Sequence, residues 1–252
     1  MIKMKAVYIL WLRQIKRYWR SKSRMIGSLV QPLLFLLAFS FGFGPIFQKA
    51  GGGNYIEFLT PGIVGMSILF TAIFSGVELI WDKQFGFIKE TFVAPVPRYQ
   101  IILGRILGGA TVSSFQGFLV FLISLLFGFK ITNFFSLFFG FVFMFLIAFA
   151  FTSLGTAIAS ALDDIQGFQL IMNFLVMPTF LFSGAIFPLN NLPEFLKFIA
   201  QFNPLSYGID GLRWALISNS HFGGIFDLFV LFGVSTFFVG IATYIFSKME
   251  VK

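Results

Sequence analysis

Few residues in this sequence could do chemistry, and their types and spacing argue against most of it. There is no cysteine and one histidine, His221. Disulfides, cysteine-based zinc sites and thiol nucleophiles are therefore excluded, and His221 cannot build a metal site alone. Asp163 and Asp164 are adjacent. Neighbouring positions on a helix do not face each other, so this pair reads as the solvated end of a helix. No Ser/His or paired-Asp constellation falls inside the apolar runs, which argues against an intramembrane hydrolase. The phosphate loop G-x-x-x-x-G-K-[ST] is missing, so ATP has no site of that kind. We expect no catalytic, cofactor-binding or metal-binding residue in this chain, which is not an enzyme on its own.

The elements that carry these residues are apolar. The chain has 252 residues, 58% hydrophobic and 11% charged, where a soluble domain has about a quarter charged. A membrane protein follows. The 40 phenylalanines read as the bias of hydrophobic spans rather than an aromatic cage. A bilayer core of roughly 30 Å takes about 20 apolar residues as helix. Six uncharged runs meet this, at 25–48, 58–77, 106–129, 131–162, 165–193 and 228–247. The expected fold is an all-α polytopic membrane protein, one domain over 1–252. Its spans are expected at 25–48, 58–80, 101–129, 133–162, 165–188 and 225–247.

Six spans put both termini on one side. Fourteen of the 18 lysines and arginines lie in 1–24, 83–105 and 248–252, so that side is expected to be cytoplasmic. The net charge of +8 is accounted for by topology and anionic headgroups; no nucleic-acid partner is implied. The basic start is too long, and the following run too wide, for a cleaved leader. Residues 1–24 instead pattern as an amphipathic helix. Arg13, Lys16, Arg17, Arg20 and Arg24 share one face, and Tyr8, Trp11, Leu12, Ile15, Tyr18 and Trp19 the other. Such a helix lies in the membrane interface, with Trp11, Arg13, Arg17, Trp19 and Arg20 as its anchors.

The middles of the spans carry no charge, so a proton or sodium relay has no candidate residues, and the filter sequence TVGYG is absent. A transporter built this way must take its energy from another subunit. Two stretches could serve it. The first is the loop at 82–99, which contains "FGFIKETFVAPVPR". Ile88, Thr91 and Phe92 fall at i, i+3, i+4, which predicts a two-turn amphipathic helix. Pro95 ends it, because the residue before a proline avoids the helical region, and Pro97 stiffens the exit. The second stretch, at 190–219, predicts two helices that are too short to span. Asn191 caps the first and Pro193 sits early in it, with Phe195, Phe198, Ile199 and Phe202 on one face. Asn203–Pro204 breaks it and starts the second. Leu205, Ile209, Leu212 and Leu216 line that helix, and Asp210 and Arg213 are spaced to pair. Both pieces suit an outer surface or a re-entrant hairpin. Gly104 and Gly108, with Ser113 and Gly117, mark close helix packing.

These two stretches resemble the two signatures of the ABC-2 type permeases, the membrane subunits of ABC exporters. "DKQFGFIKETFVAPVPRYQIILGRIL" is similar to the cytoplasmic signature. "LPEFLKFIAQFNPLSYGIDGLRWALI" is similar to the second, above all in the drug-resistance branch. The resemblance covers essentially the whole chain. It implies a half-transporter in which two permease chains, identical or different, pair with nucleotide-binding subunits that carry Mg-ATP. It assigns ATPase coupling to Phe85, Gly86, Phe87, Ile88, Glu90, Phe92, Pro95 and Arg98. It assigns an extracellular gate to Asn203, Pro204, Tyr207, Asp210 and Arg213. The cargo it implies is a hydrophobic or amphiphilic compound, drug-like or lipid-like, with a lipid-linked polysaccharide as the alternative. An ion-coupled carrier or membrane enzyme is the remaining, less supported class.

Overall fold

A computed structural model describes residues 3–49, 53–131, 137–189 and 193–249, and every regular element among them is helical. The expected cap Asn191 and the start of the fourth expected span lie outside the described residues. Helix α1 covers Lys3–Arg20, α2 Lys22–Lys49, α3 Tyr55–Phe74, α4 Val77–Gln84, α5 Phe87–Val93, α6 Arg98–Leu126 and α7 Leu137–Ala161. Beyond these, α8 covers Ile165–Ile171, α9 Met177–Leu181, α10 Glu194–Phe202, α11 Pro204–Ile217 and α12 Gly224–Ser247. A π-helical turn, Met172–Val176, joins α8 to α9.

Among the described residues, 5 helical stretches are long and apolar enough to cross a bilayer: α2, α3 with α4, α6, α7 and α12. The fifth expected span, 165–188, is helical only over Ile165–Leu181. At 1.5 Å per residue that is about 25 Å. Its end is a turn at 182–184, where Gly184 takes a φ of 74°, a backbone shape that suits glycine.

The centre of the bundle is α3, α6, α7, α11 and α12. Small residues let them approach. A Cβ on Gly155 of α7 would lie 2.7 Å from the Ile73 backbone of α3. Gly76, in the short turn between α3 and α4, meets the Gly155 carbonyl from the other side. This is the small-residue packing expected where apolar burial cannot drive association in lipid. By contrast, α2 is mostly exposed, with Phe41 at 79%.

Helix α1 is not simply laid on a membrane surface. It runs alongside α6 in the same direction. Gly104 lies against Val7 and Leu10, and Gly108 against Trp11 and Gln14. Further along, the Trp11 indole donates to the Thr111 hydroxyl at 3.0 Å, and the buried Tyr18 donates to the Gln116 carbonyl oxygen. Burial pushes the Tyr18 phenol up to about 12, with Arg24 acting the other way, so it stays a donor. The G-x-x-x-G of α6 is thus a seat for α1. Tyr8 and Trp19 remain exposed, at 58% and 53%, and they keep an outward aromatic edge.

Candidate functional site

The basic end of the bundle holds a charged hub that sequence reading missed. Glu78 and Asp82, one helical turn apart on α4, are both buried. The Asp82 carboxylate pairs with Arg105 of α6 and, at 3.4 and 3.6 Å, with Arg13 and Arg17 of α1. Glu78 pairs with Arg24 of α2 and, at 3.7 Å, with Arg17. Two carboxylates thus tie α1, α2 and α6 to α4. This corrects two expectations. Asp82 lies inside α4 and does not open the loop. The basic stripe breaks at Ser21 between α1 and α2, and Arg13, Arg17 and Arg24 turn to protein carboxylates; Arg20 and Lys16 stay exposed.

The next residue extends the tie. Lys83 donates its ammonium to the carbonyls of Ser160 and Leu162, both at 2.8 Å, at the end of α7. Cations suit the orphan carbonyls at a helix C-terminus. The Gln84 amide reaches the Asp163 carbonyl at 3.2 Å.

The chain then turns at Gly86, whose φ of 78° is left-handed and so favours glycine. It forms α5 and stops at Ala94, which is extended (ψ 140°) ahead of Pro95. The eight residues assigned here by the resemblance divide by direction. Ile88, Phe92 and Arg98 hold the elbow to the bundle. Ile88 is 3% exposed. Phe92 packs edge-on against Phe246 of α12. The Arg98 guanidinium lies 4.6 Å over the Phe92 ring and donates to the Ser247 carbonyl at 2.6 Å and the Met249 carbonyl at 3.1 Å. Phe85 at 73%, Phe87 at 47% and Val93 at 86% exposure, with Glu90 and Pro95, form the outward tip. An exposed apolar tip is thus braced from behind on α12 and α7.

At the opposite end, α11 is the hub. Its first residues meet the bundle interior: Leu205 and Ile209 lie near Gly65 of α3, and Gly208 against Ile147 of α7. Its last residues meet the start of α7, with Leu216 near Gly140. The helix therefore runs from the middle of the bundle toward the end away from the basic one. Leu205, Ile209, Leu212 and Leu216 are fully buried, and so is much of the other side, including Ser206 and Gly211. It is not an amphipathic surface piece. Helix α10 is the exposed one, with Phe195, Phe198 and Phe202 at 72%, 59% and 73%.

Four of the five residues assigned to this end tie α11 to its surroundings. Asn203 caps α11 by accepting from the Leu205 N–H at 3.0 Å and donates to the Thr179 carbonyl of α9 at 2.6 Å. Pro204 sits in the first turn, where its missing N–H costs nothing. Tyr207 donates to the Gln201 carbonyl of α10 at 2.7 Å and lies 4.9 Å from the Phe222 ring. Arg213 donates to the carbonyls of Gly184 at 2.7 Å, Ala185 at 3.3 Å and Phe58 at 3.4 Å, and its guanidinium lies 3.9 Å over the Phe58 ring.

Asp210 instead accepts from the backbone N–H groups of His221 and Phe222 at 2.7–2.8 Å. Asp210 and Arg213 do not form the direct ion pair their spacing suggested: each is claimed by backbone groups on its own side of the helix. Replacing Asn203 with alanine removes a cap and the side-chain donor to the Thr179 carbonyl. We expect a loss of about 1–2 kcal/mol, read as a lower unfolding midpoint of the detergent-solubilised chain.

Comparison with known proteins gives the family. The family model described as the ABC-2 type transporter matches residues 5–217. The chain is 29% identical over 245 residues to the inner membrane transport permease YadH of Escherichia coli K12, covering 93% of this chain and 90% of that one. It is 29% identical to the putative transport permease ycf38 of Cyanophora paradoxa, covering 93% of this chain and 81% of the relative. To nodulation protein J of Rhizobium leguminosarum bv. trifolii it is 27% identical, covering 82% and 76%. A bundle of apolar helices that crosses the membrane several times, with both signature stretches at its ends, belongs to the ABC-2 type transporter family as a transport permease.

Proposed function

We propose that this chain is the membrane half of an ATP-driven exporter that moves a hydrophobic or amphiphilic compound across the cytoplasmic membrane. On this reading the basic end faces the cytoplasm. Two permease chains pair, and each binds a separate nucleotide-binding subunit that carries Mg-ATP. The observation that carries the proposal is the elbow at Gly86–Pro97. Phe85, Phe87, Glu90 and Pro95 face outward for a partner, while Ile88, Phe92 and Arg98 tie the same short helix to α12. Lys83 ties its base to α7. A displacement of α5 by a closing ATPase would then be passed to two long helices at once. Helix α1 braces the junction through Arg13 and Arg17.

At the far end, α10 and α11 would act as a re-entrant gate, since α11 starts deep and is held at both ends by directional hydrogen bonds. The uncharged middles of the long helices support an apolar or amphiphilic cargo. The test is co-purification with a candidate nucleotide-binding subunit from the same organism, followed by measurement of its ATP hydrolysis. A chain with residues 85–95 scrambled is expected to lose binding and most of the stimulation. Equal binding and stimulation by the scrambled chain would sink the coupling assignment.

A further inference from the structure

A cavity of about 720 Å³ opens at the basic end between α1, α2, the α3–α4 segment and α8. Its size is within the roughly 300–1,000 Å³ of small-molecule sites. One wall is apolar and is made by Met66, Phe70 and Phe74; the mouth carries Arg17 and Arg24. The charges there do not balance. Of the charged residues that line the cavity, Arg17 and Arg24 outnumber the one carboxylate, Glu78, while Arg13 and Arg105 converge with Arg17 on Asp82 in the adjoining hub. Arg17 is the underused one. Its nearest carboxylate oxygens are 3.6 and 3.7 Å away, beyond hydrogen-bond reach; its guanidinium lies 5.9 Å from the Trp81 ring, and both residues line the cavity. Glu78 is also at the rim, but both its oxygens already face Arg24 and Arg17. Deeper in, Ser67 lines the same cavity, and its buried hydroxyl has no partner among the described residues.

We propose that this cavity binds an anionic amphiphile. A phosphate or carboxylate headgroup would sit on Arg17 and Arg24, and its hydrocarbon tail would lie along Met66, Phe70 and Phe74. The guanidinium fork matches such a headgroup in geometry and charge, and the headgroup oxygens would accept hydrogen bonds that Arg17 does not donate among the described residues. The inference rests on the permease reading for its biological meaning and narrows the cargo of that reading to an acidic amphiphile, but the binding itself does not depend on transport. A phospholipid of the surrounding bilayer and a single-chain acid share this chemistry.

The probe is dodecyl phosphate, titrated into the full chain in phosphatidylcholine nanodiscs. The reporter is Trp81, which lines the cavity, read as the fluorescence change lost in Trp81→Phe. We expect a saturable response to dodecyl phosphate, and none to dodecylphosphocholine or inorganic phosphate at the same concentration. Arg17→Gln is expected to weaken it about tenfold. Gly27→Leu keeps every charge and fills the cavity from α2, where an added Cβ meets nothing within 4 Å; it is expected to abolish the response.

Competition by phosphatidylglycerol included in the disc would identify a bilayer lipid as the occupant. Undiminished binding in its presence would identify a single-chain acid. An equal response to dodecylphosphocholine, or unchanged affinity in Gly27→Leu, would overturn the site. That result is separable from failure of the permease reading, which would show as no association with the nucleotide-binding subunit.

Discussion

Asp82→Leu is expected to destabilise this protein by about 3–5 kcal/mol, the cost of leaving a buried charge without its partner. Asp82 and Arg105 have side chains only 4% and 8% exposed. Removing the carboxylate strands the Arg105 guanidinium in the interior and releases Arg13 and Arg17 as well. The measurement is the midpoint and denaturant dependence of unfolding for the detergent-solubilised chain. Asp82→Leu combined with Arg105→Met should recover most of the loss, because a buried ion pair replaced whole by apolar groups is often neutral. A double-mutant cycle therefore separates the pair's net worth from the penalty of breaking it. If Asp82→Leu costs under about 1 kcal/mol, the hub behaves as a solvated surface pair and cannot brace the elbow. A further consequence is functional. With α4 cut loose from α1 and α6, stimulation of the partner ATPase should fall even in preparations that remain folded.

What the sequence reveals of this fold depends on the range of the interaction. The elbow is legible because its causes are local: Gly86 supplies the left-handed turn, and Pro95 and Pro97 stop one helix and start the next. The start of α11 is legible for the same reason, since Asn203 and Pro204 act within one turn. The hub is not, because its partners are 23 to 69 positions apart. Each arginine, taken alone, reads equally well as a topology signal. One clue was present: residues 1–24 hold eight basic residues and no acid, so two acids at helical spacing on α4 were natural counterions.

The fifth apolar run shows another limit. Hydropathy runs through 182–189, but Gly184 turns the chain there, and an apolar average does not register a turn. Helix α11 shows a third. Its leucine stripe suggested one buried face, yet Ser206, Gly208 and Gly211 let α3, α7 and α12 close on it from several sides. Small residues on the supposed polar face were the signal that it is enclosed.

Arg213→Met is expected to reduce transport by at least about tenfold while leaving the nucleotide-binding subunit bound. The guanidinium joins α11, the first turn of α3 and the segment after α9, through the carbonyls of Phe58, Gly184 and Ala185. Gly184 and Ala185 lie outside the helices, their carbonyls accept from Arg213, and an unmet buried acceptor costs about 1–3 kcal/mol. Methionine fills similar volume, so the loss falls on the hydrogen bonds and the contact with Phe58 rather than on packing. Arg213→Lys is the sharper comparison. It keeps the charge but offers a point donor in place of a planar fork, so it cannot hold two strands of backbone and an aromatic face together. Under a gating role, Arg213→Lys should resemble Arg213→Met in transport, with ATP hydrolysis persisting and no longer tied to cargo movement. Under a purely structural role, both variants should instead lose assembly and solubility together, and ATPase binding would vanish in step with transport. The elbow and the hub lie at the other end of α3, so a change at Arg213 that uncouples without disassembling would mean that force received at Phe85–Pro95 is spent on moving α11.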